Sequence, residues 1–156
     1  GEVVIKAETV MKGYWKNYEE TKKIMLDGGW LKTGDLGYLN KNKYLFLVGR
    51  IKELINIGGL KVSPIEIEDM YKNCDLIDEF IVVGKADKTG ISGEKIIGFV
   101  KFCEKKTMSE NELIQFAQGK IENYKIPSEF HIVSEIPKSE TGKLLREQLI
   151  KLVGVD

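Results

Sequence analysis

The segment from Gly49 to Glu68 constrains the fold of this chain more than any other stretch, and it reads GRIKELINIGGLKVSPIEIE. Two short apolar runs, residues 54–57 and 60–62, flank Gly58-Gly59. Because both glycines tolerate positive φ, this spacing predicts a β-hairpin with a two-residue primed turn. The following Ser63-Pro64-Ile65-Glu66 predicts a helix to about residue 73, with serine as N-cap, proline at the first helical position and glutamate at the third.

Three further segments carry the sequence signals of helices. Asn17 and Ser109 are each followed three positions later by glutamate, a capping-box pattern that predicts helices over residues 17–26 and 109–121. A periodic run predicts a last helix from about Lys143. Its expected apolar face consists of Leu145, Leu149 and Leu152.

Apolar and β-branched runs bounded by turn residues predict the strands. They lie at residues 3–7, 36–39, 44–48, 80–83, 96–102 and 129–133, and the runs at 80–83 and 96–102 are typical of central strands. The predicted fold class is α+β: a small C-terminal domain, with a short hairpin and a central sheet packed by helices, follows a mostly β segment. The expected boundary is near Arg50–Lys52, which divides the chain into residues 1–50 and 51–156.

Composition excludes several classes of function. The 156 residues carry 24 Lys+Arg and 24 Asp+Glu, and this zero net charge argues against a dedicated nucleic-acid binder. Cys74 and Cys103 lack metal-ligand spacing and His131 lies in an apolar run, so we expect no metal site in this chain and a structural or surface role for the histidine. Reduced cysteines predict a cytoplasmic protein. No transmembrane segment or signal peptide is predicted, and the chain opens inside a strand-like run without an initiator Met, which favours an excised piece of a longer protein.

Three motifs occur in a set order along the chain: Thr33-Gly34-Asp35-Leu36-Gly37, the segment 49–68, and Pro137-Lys138-Ser139-Glu140-Thr141-Gly142-Lys143. In this order they resemble the C-terminal part of the adenylate-forming (AMP-binding) enzymes, which include acyl-CoA synthetases, luciferases and peptide-synthetase adenylation domains. Residues 10–15 and 29–33 also match this family, so the resemblance covers nearly the whole chain. It implies that residues 1–50 end the large N-terminal AMP-binding domain and that residues 51–156 are the C-terminal domain.

The resemblance implies nucleotide-binding and catalytic roles for four residues. Asp35 matches the aspartate that holds both ribose hydroxyls of ATP, and an ionised carboxylate has two acceptor oxygens for that task. Arg50 matches a nucleotide contact, and Lys61 a position near the nucleotide phosphate. Lys143 matches the catalytic lysine that bridges the acid's carboxylate and the α-phosphate during adenylation only.

Three further positions are implied to serve the second half-reaction. Lys52 matches the hinge about which the C-terminal domain rotates, and a lysine there favours the CoA ligases over peptide-synthetase domains. Gly58 and Gly59 match the hairpin that borders the path of the CoA pantetheine, where glycine permits a close backbone approach. Asn56 departs from the lysine that aryl-CoA ligases and luciferases tend to carry, which weakens a plant-type aryl-CoA assignment.

The implied function is that of an acyl-CoA ligase acting on fatty or other carboxylic acids. The acid and ATP form an acyl-adenylate, the C-terminal domain rotates, and CoA then attacks to give the thioester. ATP, Mg bound mainly by the missing N-terminal domain, and CoA are the expected cofactors and co-substrates, and the chain alone is expected to be inactive. Two alternatives remain open: an adenylation domain that loads a carrier protein, and a non-catalytic binding module.

Overall fold

The computed structural model describes residues 1–87 and 93–152. Residue contacts divide the chain into two units, Gly1–Glu53 and Leu54–Asp156, so the division falls after residue 53, whereas the sequence predicts it after residue 50. Both units combine strands with helices, which confirms the α+β fold class.

The first unit is an antiparallel sheet built around one long strand. Its strands are β1 (Glu2–Ile5), β2 (Met25–Leu26), β3 (Trp30–Leu39) and β4 (Leu45–Arg50). Strand β3 pairs with each of the other three. The predicted strand 36–39 is therefore only the end of β3, because residues 30–32 and Asp35 also pair with neighbouring strands. The Thr-Gly-Asp sequence within this part is typical of a loop.

Helix α1 (Tyr18–Ile24) begins as the capping pattern predicts. The Glu20 backbone N–H donates to Asn17 Oδ1 at 3.1 Å. The Glu20 side chain pairs with Lys23 one turn later, so the predicted reciprocal capping contact is replaced by an ion pair. The helix ends two residues before the predicted Leu26 because residues 25–26 pair with β3 instead.

The second unit contains the predicted hairpin and a three-stranded sheet. The hairpin is β5 (Ile55–Ile57) and β6 (Leu60–Val62), and the sheet consists of β7 (Ile77–Ala86), β8 (Glu94–Phe102) and β9 (Glu129–Ile132) in that order. Strand β7 is antiparallel to β8, whereas β9 is parallel to it. The expectation of two central strands is therefore wrong for residues 80–83: within the described sheet β8 is central and β7 lies at the edge.

Among its described residues this unit has three α-helices: α2 (Pro64–Tyr71), α3 (Glu110–Ala117) and α4 (Arg146–Leu152). The Ser109 capping box is complete. Helices α2 and α3 are shorter than predicted. Helix α3 stops at Ala117 because Gln118 is extended and Gly119 adopts a φ of +75°. Leu149 is fully buried, whereas Leu152, about one helical turn later, is 66% exposed. The predicted apolar face of α4 is therefore wrong at Leu152.

Two apolar clusters form the core of the second unit. In the larger cluster Tyr71 stacks on Phe80 with 3.9 Å between ring centroids, and its hydroxyl donates to the Leu113 carbonyl oxygen at 3.0 Å. Burial, and to a smaller extent Cys74, raises the pKa of the Tyr71 phenol. The smaller cluster consists of Val83, Ile97, Phe99, Ile136 and Leu149. Val82 and Val83 lie in different clusters because successive strand side chains point to opposite faces.

Candidate functional site

Asp35 and Arg50 lie directly opposite each other on β3 and β4. Arg50 Nε donates to Asp35 Oδ1 at 3.0 Å, and the two side chains are 25% and 48% exposed for aspartate and arginine respectively. The structure thus brings together two of the predicted nucleotide-binding residues as an ion pair that solvent reaches. Such a pair presents acceptor oxygens beside a planar cation, a combination that suits hydroxyl and phosphate groups.

The part of β3 just before Asp35 is held by a side-chain hydroxyl. Thr33 Oγ1 donates to the Val3 carbonyl oxygen at 2.9 Å and accepts from the Asp35 backbone N–H at 3.0 Å. Gly34 between them has a φ of +74°, a conformation that glycine adopts without strain. The Thr-Gly-Asp order therefore fixes the direction in which β3 presents the carboxylate.

A cavity of about 340 Å³ adjoins this part of β3 in the first unit. It is lined by Glu2, Thr33, Gly34, Arg50, Ile51 and Lys52. Ligand pockets typically range upward from about 300 Å³. The predicted hinge residue Lys52 therefore lines the same cavity as Arg50, and it lies in the single 3₁₀ turn Ile51–Glu53 that ends the unit.

The hairpin of the second unit has the geometry that its glycine pair predicts. Gly58 and Gly59 have φ values of +56° and +90°. No atom of the described chain lies within 4 Å of a Cβ built on either glycine, so the positive φ and not crowding disfavours other residues there. Lys61 is exposed on β6 opposite Asn56. The Asn56 backbone N–H donates to Glu94 Oε2 at 2.7 Å, which ties the hairpin to β8.

Lys143 is exposed at the end of a tight turn. The Ser139 N–H donates to the Lys143 carbonyl oxygen at 2.8 Å, and the Lys143 N–H donates to Ser139 Oγ at 3.1 Å. Gly142 adopts a φ of +78°, and Lys138 and Leu144 form a bridge across the turn. Helix α4 therefore starts three residues later than predicted, because residues 138–144 are committed to this turn.

Sequence reasoning missed two charged residues that lie close to this turn in structure. Glu68 is 6% exposed on α2, and Arg146 at the start of α4 contacts its carboxylate with Nη1–Oε1 at 2.6 Å and Nη2–Oε2 at 3.2 Å. The available signal was the position of Glu68: it lies three residues before Tyr71, on the helix face where periodicity calls for an apolar side chain.

The described residues supply neither a metal cluster nor a membrane helix. Within residues 1–87 and 93–152, no three His, Cys, Asp or Glu side chains are grouped so that they could hold a metal ion. In the same part of the chain, no helix has the length and apolar character needed to cross a membrane. The ring of His131 stacks on Phe99 with 5.4 Å between centroids.

Comparison with known proteins places this architecture in a family. Residues 66–143 match the model of the AMP-binding enzyme C-terminal domain. The chain belongs to this family, and the resemblance to adenylate-forming enzymes that its motifs carry is thereby confirmed.

Similar proteins are CoA ligases by name. The chain is 35% identical over 151 residues to the long-chain-fatty-acid–CoA ligase of Bacillus subtilis, covering 97% of this chain and 26% of that protein. It is 40% identical over 150 residues to the probable 4-coumarate–CoA ligase 1 of Dictyostelium discoideum, covering 96% and 27% respectively. The chain therefore spans about a quarter of the length of these relatives.

A solved structure of similar fold contains a reaction intermediate. It is the o-succinylbenzoate CoA synthetase of Bacillus subtilis in complex with an acyl-adenylate. The TM-score is 0.84 at 33% identity, and the match covers 96% of this chain and 30% of the synthetase.

Proposed function

We propose that this chain is the C-terminal part of an ATP-dependent acyl-CoA ligase. The observation that carries the proposal is the Asp35–Arg50 pair, set on neighbouring strands beside a 340 Å³ cavity in a chain that belongs to the AMP-binding family. The names of its relatives support CoA as the acceptor in preference to a carrier protein.

In the first half-reaction the acid's carboxylate attacks the α-phosphate of ATP, which forms the acyl-adenylate and releases pyrophosphate. Asp35 accepts hydrogen bonds from the two ribose hydroxyls, Arg50 contacts the nucleotide, and Lys61 supplies a mobile positive charge near the phosphate. Lys143 bridges the carboxylate and the α-phosphate, where negative charge increases in the transition state. A preorganised cation in such a position is typically worth about 2–4 kcal/mol.

In the second half-reaction the CoA thiol attacks the acyl carbonyl carbon and releases AMP. The second unit rotates about Lys52, a role that is supported by the position of Lys52 in the 3₁₀ turn at the end of the first unit. The Gly58-Gly59 turn then borders the pantetheine, since two residues without side chains let the backbone approach it closely. The exposed position of both glycines supports this role.

The rest of the protein supplies what this chain lacks. Four consecutive apolar residues of β4 are 38–58% exposed: Leu45, Phe46, Leu47 and Val48. An apolar run of this kind favours coverage by another protein surface, which we assign to the protein's own N-terminal domain. That domain also carries the acyl pocket and most of the Mg and adenine contacts in this proposal, so the chain alone is inactive. The free thiols of Cys74 and Cys103 support a cytoplasmic location.

The proposal is tested with the complete protein, ATP, Mg and a panel of short, medium and long fatty acids and aryl acids. Pyrophosphate exchange and AMP release are followed with and without CoA. We expect acid-dependent exchange, and AMP release that requires CoA, with one class of acid. Exchange without CoA consumption would indicate loading of a carrier protein, and the absence of both signals with every acid would overturn the proposal.

A further inference from the structure

A largely buried ion pair joins three elements of the second unit. The Glu68 carboxylate on α2 accepts from both terminal nitrogens of Arg146 and also from the Val82 backbone N–H at 2.9 Å. Arg146 Nη1 in turn donates to the Val82 carbonyl oxygen at 2.6 Å. The side chains are only 8% and 20% exposed for glutamate and arginine, so water competes little for these contacts.

The pair closes part of the open side of an edge strand. Val82 is paired with Gly98 of β8. On the side away from β8, the Val82 N–H donates to Glu68 and the Val82 carbonyl oxygen accepts from Arg146. An edge strand leaves such groups without a strand partner. The side chains of Glu68 and Arg146 take the place of a strand partner at Val82, and Arg146 thereby attaches the start of α4 to the sheet.

The turn that carries Lys143 is attached to β7 at both of its ends. On the first arm, Lys138 pairs with Glu79, and the neighbouring Ile136 is 2% exposed in the core. On the second arm, Arg146 follows Lys143 by three residues and contacts Val82.

The two arms are also joined to each other. The Leu145 N–H donates to the Pro137 carbonyl oxygen at 3.0 Å, and the Lys138–Leu144 bridge lies next to it. Only Leu144 and Leu145 separate Lys143 from Arg146, and both belong to this bridged base. A displacement of Arg146 therefore reaches Lys143 with little slack in the backbone.

We infer that Arg146 is a positioning residue for Lys143: its bidentate contact with Glu68 and its bond to Val82 fix the outgoing arm of the turn. This inference rests on the adenylation role proposed above for Lys143. A lysine at position 146 keeps the charge but loses the planar double contact, so it holds the arm less well. Displacement of a reacting group by about 1 Å costs on the order of 100-fold in rate.

The experiment compares the two half-reactions in the complete protein for Arg146→Met and Arg146→Lys. Pyrophosphate exchange measures adenylation, and AMP release from supplied acyl-adenylate plus CoA measures thioester formation. We expect Arg146→Met to lower exchange by about 100-fold, with a smaller loss for Arg146→Lys, while thioester formation keeps the unaltered rate. Equal losses in both half-reactions would overturn the inference.

Two control variants separate positioning from general destabilisation. Glu147→Gln changes an exposed charge on the same helix and should leave both half-reactions unchanged. Leu113→Ala removes a side chain that is 1% exposed in the larger core cluster, so any loss it causes through unfolding should affect both half-reactions alike.

Amide hydrogen exchange gives a readout that does not depend on activity. In Arg146→Met, the amides of Ser139 and Leu145 should exchange faster relative to those of β8, because their bonds close the turn. A uniform change across the unit would indicate a merely structural role and would contradict the inference. If the unaltered protein catalyses no exchange with any acid, the proposed function fails, while the hydrogen-exchange result still decides whether Arg146 fixes the turn.

Discussion

Replacing Gly98 with alanine should destabilise the second unit, because the added methyl group has no room in its core. Gly98 is buried on β8, and a Cβ built there lies 2.7 Å from Phe80 Cζ and 3.2 Å from Phe130 Cδ1. The Phe80 ring cannot yield easily, since Tyr71 stacks on it at 3.9 Å and is itself held by the hydrogen bond to Leu113.

The magnitude follows from two opposing terms. Overpacking a close-packed core costs about 1–3 kcal/mol. Replacing glycine by alanine at a compatible backbone position recovers about 0.4–1 kcal/mol, through the lower entropy of the unfolded chain. The φ of Gly98 is not in the left-handed region, so this gain applies. The difference between the midpoints of these two ranges is a net expected loss of about 1.3 kcal/mol in the free energy of unfolding.

The assay is urea unfolding of the 156-residue chain. Amide hydrogen exchange within β7 and β8 is the readout. Tryptophan fluorescence is unsuitable because Trp15 and Trp30 both lie in the first unit. The matched test is Phe80→Leu, which removes the clashing ring atom, so Gly98→Ala should cost less in that background. A Gly98→Ala variant as stable as the unaltered chain would refute the packing argument, as would an equal cost in both backgrounds.

Two further predictions concern ionisable groups. Asp35→Asn keeps the shape of the side chain but leaves a single acceptor oxygen, so in the complete protein the KM for ATP should rise by about 10–100-fold. Glu2→Gln, at a residue that lines the adjoining cavity, should change this KM little, and equal effects of the two substitutions would contradict the ribose assignment. In the folded state the pKa of Tyr71 is raised above its ordinary 10.0. The stabilisation linked to this shift is therefore fully present below about pH 10 and should be lost as pH rises further. The free energy of unfolding should fall by about 1.4 kcal/mol per pH unit in that range. Urea unfolding at several pH values above 9 should show that Tyr71→Phe flattens this slope, and an unchanged slope would refute the assignment.

Local signals predicted the parts of the fold that depend on neighbours in sequence. The Gly58-Gly59 hairpin and the Asn17 and Ser109 caps are each set by a few adjacent residues. All three occur, but the reciprocal half of the predicted capping box forms only at Ser109. Ser63 likewise takes the N-cap position of α2 and Pro64 the first helical position. The Glu66 side chain, at the third position, pairs with Lys125.

Features that depend on distant pairing could not be read from the sequence. The first half of β3 has a turn-like composition, and it is extended because β1 and β2 pair with it. The edge position of β7 depends on where β9 adds to the sheet, which periodicity does not specify. The start of α4 depends on the turn around Lys143.

In the candidate site, too, local motifs could be recognised from the sequence, whereas contacts between distant residues could not. The Thr33-Gly34-Asp35 motif marked a residue whose partner, Arg50, lies fifteen positions away, and family resemblance rather than periodicity connected the two. The contact between Glu68 and Arg146 spans 78 positions, and charged helix residues are ordinarily read as solvated. Only the tertiary structure shows that Glu68 is buried and that Arg146 is partly buried against it.

The measurement that tests the account most directly is a comparison of the two half-reactions in a Lys143→Ala variant of the complete protein, with Lys151→Ala as the matched control on an exposed lysine of α4. Pyrophosphate exchange should fall by about 30–1,000-fold, which corresponds to loss of a cation worth 2–4 kcal/mol. Thioester formation from supplied acyl-adenylate and CoA should remain at the unaltered rate. Equal loss of both half-reactions, or undiminished exchange, would contradict the role of this chain as the mobile catalytic part of an acyl-CoA ligase.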